Sequence, residues 1–433
     1  MQATVENIGS LTRRIRITVP RTEIDSEVES RLKRLAKTVK VHGFRPGKVP
    51  LKIVAQQYGG EVRREVIGET MERSIAEALR EQQLRVAGYP RLETVSEGGG
   101  DTLEFSATFE VYPEVKLGDL AGVTIERPQV EVTEADVNKT IEILRKQRIT
   151  YVPVERPAQA GDRVELDYRG TIDGQAFAGG EGKDYALILG EGRTLKDFEE
   201  AIIGMKAGET KSVQVTFPED YHGREVAGKT ATFEISVKRV LEPKLPEVDA
   251  EFARSLGVED GDLAKMRAEI RANVEREAKK RIETRIKEQV MQALLDTTPV
   301  ELPQALVQIE SERLQSHARE DLRRRGVKEV NLPPEMFREA AERRVKLGLI
   351  LAELVKAHGL HATPEQVKAV VEDFAQAYEH PEEIVRWYYA DPNRLAEAES
   401  LALEQNVVNW VLGVAKVNDK PITFDELMGI ANK

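Results

Sequence analysis

Hydrophobic and polar positions change period along the chain, and each change marks an element. Ile15, Ile17 and Val19 alternate with Arg14, Arg16 and Thr18, the twofold period of a half-buried strand. Thr22 then reads as the cap of a helix. In it Ile24, Val28, Leu32, Leu35 and Val39 recur every three or four residues, an apolar stripe that leaves Arg31, Lys33, Arg34, Lys37 and Lys40 facing outward. After a stretch rich in glycine and proline, Pro50 can open another helix and a longer one continues to about Gln82. Leu103, Phe105, Ala107, Phe109 and Val111 alternate as a closing strand. These elements predict an α+β domain over residues 1–112.

Residues 113–149 read as a connector that packs with the C-terminal domain: an extended stretch from Val123 to Val132, then a helix capped by Thr133 with Asp136 three residues on. A second domain is expected over 150–245. Val164 to Gly174 reads as a strand entering the Asp173-Gly174 turn of a tight hairpin, with Phe177 just beyond. A short helix holding Phe198 follows Leu189-Gly190-Glu191-Gly192, and strands Ser212 to Phe217 and Thr230 to Val240 complete the unit. From Pro246 to the end the pattern is almost entirely helical. Met266, Ile270, Val274, Ala278, Ile282, Ile286, Val290 and Leu294 recur every four residues through a helix of about 50 Å at 1.5 Å per residue. Another helix starts near Pro303, a third runs from Pro333-Pro334 to about Gly359, and Thr363-Pro364-Glu365-Gln366 caps a fourth. The narrow apolar stripes suit either extended arms around an open surface or a bundle. The fold class is multidomain α+β, with a β-sheet-plus-short-helix domain in the middle and an extended all-α domain over 246–433.

Composition narrows the chemistry. At 433 residues the chain exceeds one ordinary core and suggests roughly three domains. It contains no cysteine, which removes disulfides, thiolate metal sites and cysteine nucleophiles. The first residues have neither a basic nor an apolar run, and no later stretch reaches the length of a membrane span; a cytoplasmic location without membrane contact is expected. Residues 1–60 carry 12 Lys or Arg against 5 Asp or Glu, a net +7 in a chain of net −11. A solvated helix face accounts for such a bias, and so does an anionic partner. His358 and His361 flank Gly359 without a nearby third ligand, which favours a solvated turn over a metal site, and Gly98-Gly99-Gly100 lacks the lysine of a phosphate loop. Trp387, Tyr388, Tyr389 and Trp410 read as helix-packing aromatics. No metal or cofactor is expected.

The loop Gly43-Phe44-Arg45-Pro46-Gly47-Lys48-Val49-Pro50 combines four backbone-setting residues with one large ring and two cations. It must be an exposed turn, whether Phe44 tucks back onto its own domain or meets a protein–RNA surface. The motif resembles the ribosome-binding loop of the trigger factor family, and the flanking helices are similar to that family's N-terminal domain. The resemblance implies docking through Gly43, Phe44, Arg45, Gly47 and Lys48 on protein and RNA of the large ribosomal subunit at the polypeptide exit tunnel. Many relatives have a third basic residue where this chain has Pro46. It also implies binding of unfolded nascent polypeptides on a helical cradle with arms, and it allows a weak homodimer off the ribosome.

The order of elements from about 152 to 243 resembles the FKBP-type prolyl isomerases. That resemblance implies a proline pocket lined by Tyr168, Phe177, Phe198, Tyr221 and Phe233, with Tyr185 and Leu195 at its edge. The residue types suit the chemistry, because rotating an X-Pro amide breaks no bond and an apolar cup that strips water from it suffices, with a hydroxyl such as that of Tyr221 to hold a carbonyl. Aromatics on alternating strands also simply pack. Lys196-Asp197 stands where relatives usually place Pro-Gly, and Ala178 where an acidic residue commonly follows Phe177. The expected function is a ribosome-associated chaperone that delays misfolding and isomerises X-Pro bonds. A plain folding isomerase with accessory substrate-binding domains is the alternative, and the acidic remainder of the chain argues against an RNA-binding protein.

Overall fold

The computed structural model describes residues 2–42, 44, 47–96, 101–221, 223, 225–327, 331–376, 378 and 380–430. The chain opens with β1 (Gln2–Asn7), β2 (Thr12–Pro20), α1 (Arg21–Leu35), α2 (Leu51–Glu81), β3 (Val86–Ser96) and β4 (Thr102–Val111). The four strands form an antiparallel sheet in the order β1-β2-β4-β3. Ile15 and Ile17 of β2 lie opposite Ala107 and Phe105 of β4, and the alternation of both strands sends these side chains into one core with Ile24, Val28 and Leu32 of α1. Two expectations change. Pro20, not Thr22, is the N-cap of α1: its fixed φ ends β2 and starts the helix at once. The segment after Pro50 is one helix of 31 residues, because burial of Val54, Val62 and Val66 outweighs the poor helix propensity of Gly59 and Gly60.

β5 (Thr124–Gln129) and α3 (Glu134–Gln147) follow, the helix entered through the expected capping box, in which the Thr133 amide donates to Asp136 at 2.9 Å. Next come β6 (Thr150–Val154), β7 (Arg163–Ile172), β8 (Gln175–Ile188), α4 (Lys196–Ile202), β9 (Thr210–Thr216) and β10 (Thr230–Lys244). The hairpin turn has φ of 50° at Asp173 and 78° at Gly174, the left-handed pair that a tight two-residue connection requires. β10 is the spine of this sheet. One edge pairs along β7, while the other pairs first with β9 and then, past Val237, with β6. Continuation to Lys244 makes room for β6, which sequence alternation does not reveal.

The remaining elements are α5 (Ala250–Ser255), α6 (Leu263–Thr297), α7 (Gln304–Arg324), a 3-10 turn (Pro334–Phe337), α8 (Arg338–His358), α9 (Pro364–Ala375), α10 (Pro381–Tyr389), α11 (Pro392–Val414), β11 (Lys416–Pro421) and α12 (Phe424–Met428). Gly359 ends α8 at φ 65°, and Thr363 and Gln366 close a capping box on α9. β11 departs from the helical expectation. Its sequence, Lys-Val-Asn-Asp-Lys-Pro, has no apolar alternation and is held by pairing with β5, aided by Arg127–Asp419 and Lys420–Glu126 ion pairs at 2.5 and 3.0 Å.

By contacts the chain divides into two compact units, residues 1–127 with 283–420 and residues 128–282 with 421–433. In the first, the Ala305 amide at the start of α7 donates to Glu110 at 2.7 Å, and the Gly118 amide donates to Thr298 at 3.1 Å. A Cβ on Gly118 would fall 2.0 Å from the Thr297 carbonyl, so only glycine fits there. In the second unit, Val137 and Ile141 of α3 share a core with Phe252, Met266, Ile270 and Val274, while Glu134 pairs with Arg267 and Arg271.

Within the β6–β10 sheet, Asp162 is buried and accepts from both terminal nitrogens of Arg156 (2.6 and 2.9 Å) and from the Gln159 amide (2.9 Å). Burial pushes this carboxyl up, but the Arg156 and Gln159 donors outweigh it and hold it below the usual aspartate range. A carboxyl depressed by folding stabilises above its unfolded pKa and loses that contribution as pH falls through the lower folded value. Asp162→Asn should therefore weaken this sheet by roughly 1–3 kcal/mol at neutral pH, with the gap to wild type closing in acid. Amide-exchange protection of β7 and β10, compared at both pH values, reads the effect; equal protection at neutral pH would mean that burial and pairing of Asp162 cancel.

Candidate functional site

The five-stranded sheet holds an aromatic cavity of about 320 Å³. Tyr168 comes from β7, Phe177 and Tyr185 from β8, Phe198 from α4 and Phe233 from β10, while Leu195 and Tyr221 reach the same wall from the segments after β8 and β9. All seven residues singled out in the sequence thus meet in one place. Most of the ring pairs stand edge to face and the rest are tilted. Phe233 is the hub, 5.3 Å from Phe198 at 83°, and 6.1 Å from both Phe177 and Tyr168. Phe217 completes the set, 4.9 Å from Tyr221 and 5.9 Å from Phe177. It was not among the residues singled out in the sequence, although Val213, Val215 and Phe217 alternate onto one face.

Glycines create the space for these rings. Phe233 pairs across the sheet with Gly170, and Tyr168 with Gly182. A Cβ on Gly170 would lie 2.6 Å from the Phe233 ring, one on Gly182 2.4 Å from the Tyr168 ring, and one on Gly180 3.0 Å from Phe177. Each ring therefore lies flat over backbone instead of standing off it. The rim is fixed by a buried carboxylate: Glu199 of α4 accepts from the Gly190 amide at 3.0 Å and from the Thr194 amide and hydroxyl at 3.4 and 3.3 Å. This holds the segment that presents Arg193, Thr194 and Leu195. Lys196 and Asp197 lie exposed on the first turn of α4, off the cavity wall, whereas Ala178 places a methyl on it.

Among the described residues the cavity wall contains no carboxylate or imidazole. Its polar groups are phenols, the Thr194 hydroxyl and the Arg193 guanidinium, donors without a general base. Burial pushes the Tyr168 phenol above the usual tyrosine range, with the nearby Tyr185 and Tyr221 adding to it, so it stays neutral. Such a site can desolvate and grip a compact apolar group, and it is equipped for a reaction that breaks no bond.

The glycine–proline loop lies in the first unit. Gly43, Arg45 and Pro46 fall outside the described residues. Phe44 is 40% exposed, its amide donating to the Val41 carbonyl at 3.1 Å, so the ring is not tucked into the core. Gly47 takes φ 81°, and Val49 is buried. Arg31, Lys33 and Arg34 do not present bare charge: Arg31 pairs with Glu27, Glu65 and Glu69, Lys33 with Glu29, and Arg34 with Glu27. Lys37, Lys40, Lys48 and Lys52 are exposed and have no ion-pair partner among the described residues.

In the helical region the aromatics divide. Tyr388 stacks on Phe374 at 6.2 Å and Trp410 lies 4.2 Å from His358, but Trp387 is 52% and Tyr389 49% exposed, so these two are not core packing as the sequence suggested. Arg394 covers one face of Trp387 at 3.9 Å.

Comparison with known proteins accounts for nearly the whole chain. The family model for bacterial trigger factor protein matches residues 1–144, the model for its C-terminus matches 262–413, and the model for FKBP-type peptidyl-prolyl cis-trans isomerase matches 154–238. Trigger factor of Nitrosospira multiformis is 61% identical over 433 residues, covering 99% of this chain and 100% of the relative. That of Aromatoleum aromaticum is 56% identical over the full length of both. A solved trigger factor chaperone, described for promiscuous substrate recognition in folding and assembly, is 19% identical. It shares the fold at a TM-score of 0.51 over 96% of this chain and all of its own.

If glycine space makes the cavity, Gly170→Ala should push the Phe233 ring into it and lower proline-peptide isomerisation about tenfold or more, with a stability loss of roughly 1–3 kcal/mol. Isomerisation kinetics and the thermal midpoint check this. Wild-type kinetics in a folded variant would show that the ring has room to move aside.

Proposed function

The chain belongs to the bacterial trigger factor family, ribosome-associated chaperones with peptidyl-prolyl isomerase activity, and on that premise we propose how its parts divide the work. The loop at 43–50 docks the protein on the large ribosomal subunit at the polypeptide exit tunnel, through Phe44, Arg45 and Lys48 with Gly43 and Gly47 setting the turn. Exposure of Phe44 is the observation that carries this reading, since a ring offered to water in a segment whose lysines have no ion-pair partner among the described residues suits a mixed protein–RNA surface. Lys37, Lys40 and Lys52 add cations that the paired residues of α1 do not. A plain folding isomerase would leave Phe44 unexplained.

Isomerisation takes place in the aromatic cavity. The barrier of about 18–20 kcal/mol is amide resonance. Tyr168, Phe177, Phe198, Tyr221 and Phe233 strip water from the X-Pro amide and favour its twisted form, in which that resonance is already reduced. Unfolded nascent chains are held on the helices beyond residue 246, where half-exposed Trp387 and Tyr389 among charged neighbours suit weak binding of many sequences. The work is cytoplasmic; no helix among the described residues is long and apolar enough to cross a membrane. Weak self-association off the ribosome fits the same reading.

Replacing Phe44, Arg45 and Lys48 together with alanine should abolish cosedimentation with ribosomes and leave proline-peptide isomerisation intact. Wild-type binding should also weaken as salt rises. Unchanged cosedimentation of the triple variant would sink the docking assignment.

A further inference from the structure

The Tyr168 phenol is the wall group that the apolar-cup account leaves without a task. Its ring is fixed on three sides, 5.6 Å from Tyr185, 5.7 Å from Phe198 and 6.1 Å from Phe233, and rests over Gly182. Its hydroxyl forms no hydrogen bond with any described residue, yet it is not sealed from solvent: the buried side-chain atom left unpartnered among the described residues is Nε of Arg163. Ala178, whose methyl occupies the wall position where the family resemblance leads one to expect an acid, offers no acceptor. Arg193 can only donate, the Thr194 hydroxyl gives its proton to Glu199, and no described oxygen on the wall, those of Tyr185 and Tyr221 included, accepts from the phenol. A neutral phenol in such surroundings is a donor waiting for an acceptor that the protein does not supply.

We propose that the Tyr168 hydroxyl binds the substrate by donating to the carbonyl of the proline itself, on the side of the X-Pro bond that stays fixed. The choice of carbonyl follows from amide chemistry. A donor on the rotating carbonyl would strengthen the planar resonance form and slow the reaction, whereas a donor on the proline's own carbonyl anchors the ring while the preceding residue turns. Because that bond is equally present in the planar and twisted forms, it contributes to binding and not to the rate of the bound complex. The inference rests on the cavity being the isomerase site.

The test compares kcat and KM for a proline-containing tetrapeptide in the full-length wild type, Tyr168→Phe and Phe198→Ala. Tyr168→Phe keeps the ring, so its thermal midpoint should match the wild type. Its KM should rise about three- to tenfold, the worth of one neutral hydrogen bond, with kcat retained. An unchanged KM, or a loss confined to kcat, overturns the proposal. Phe198→Ala separates the two failures: full activity in that variant would show that the cavity is not the site at all, whereas lost activity there with an unchanged Tyr168→Phe removes only the hydroxyl's role.

Discussion

The aromatic cavity exists because β7 and β8 withhold side chains where the rings must lie. A sheet normally stands its side chains perpendicular to the backbone, and five aromatics raised on neighbouring strands and an adjacent helix would close on one another and leave no space. Opposite Gly170 and Gly182 the rings of Phe233 and Tyr168 lean across the partner strand instead, and Phe177 leans over Gly180. What remains between them is a walled hollow. Everything else in this sheet serves that arrangement: β10 spans the full width, Glu199 holds the rim, and the Asp162–Arg156 pair lies just ahead of β7, from which Tyr168 projects.

Much of this is legible in the sequence. Strong periodicity found β2, β4, β7, α1 and the long C-terminal helices, and side-chain chemistry found caps at Thr133 and Thr363 and the Asp173-Gly174 turn. The failures have a common physical form. β1, β6 and β11 are short, and their pairing partners decide them more than their own sequences do. The two helices expected after Pro50 are one, because packing of Val54, Val62 and Val66 carries it through Gly59-Gly60. In the cavity, seven residues came from family resemblance and one, Phe217, could have come from alternation. The role of Gly170 and Gly182 could not, since a glycine in a strand is silent until its cross-strand neighbour is known.

Charge behaved differently from shape. The net +7 of the first sixty residues suggested one broad basic face, but Arg31, Lys33 and Arg34 are each paired, with Glu27 and Glu29 of α1 and with Glu65 and Glu69 of α2. Exposed pairs of this kind add little stability. Their larger effect is on where uncompensated charge remains, at Lys37, Lys40, Lys48 and Lys52, close in sequence to Phe44. A count along the sequence gives the amount of charge; pairing determines its address.

The order in which the two units are written into the chain sets when each can be finished. Residues 128–282 interrupt the unit formed by 1–127 and 283–420, and the Arg127–Asp419 pair within that unit closes a separation of 292 positions. The N-terminal sheet and the β6–β10 sheet each draw their strands from one continuous segment, so each can form soon after it emerges during synthesis. The first unit cannot: Glu110 and Gly118 wait for partners made almost two hundred residues later. A protein that attends other chains while they are incomplete must itself pass through a long interval with finished sheets and an unfinished body.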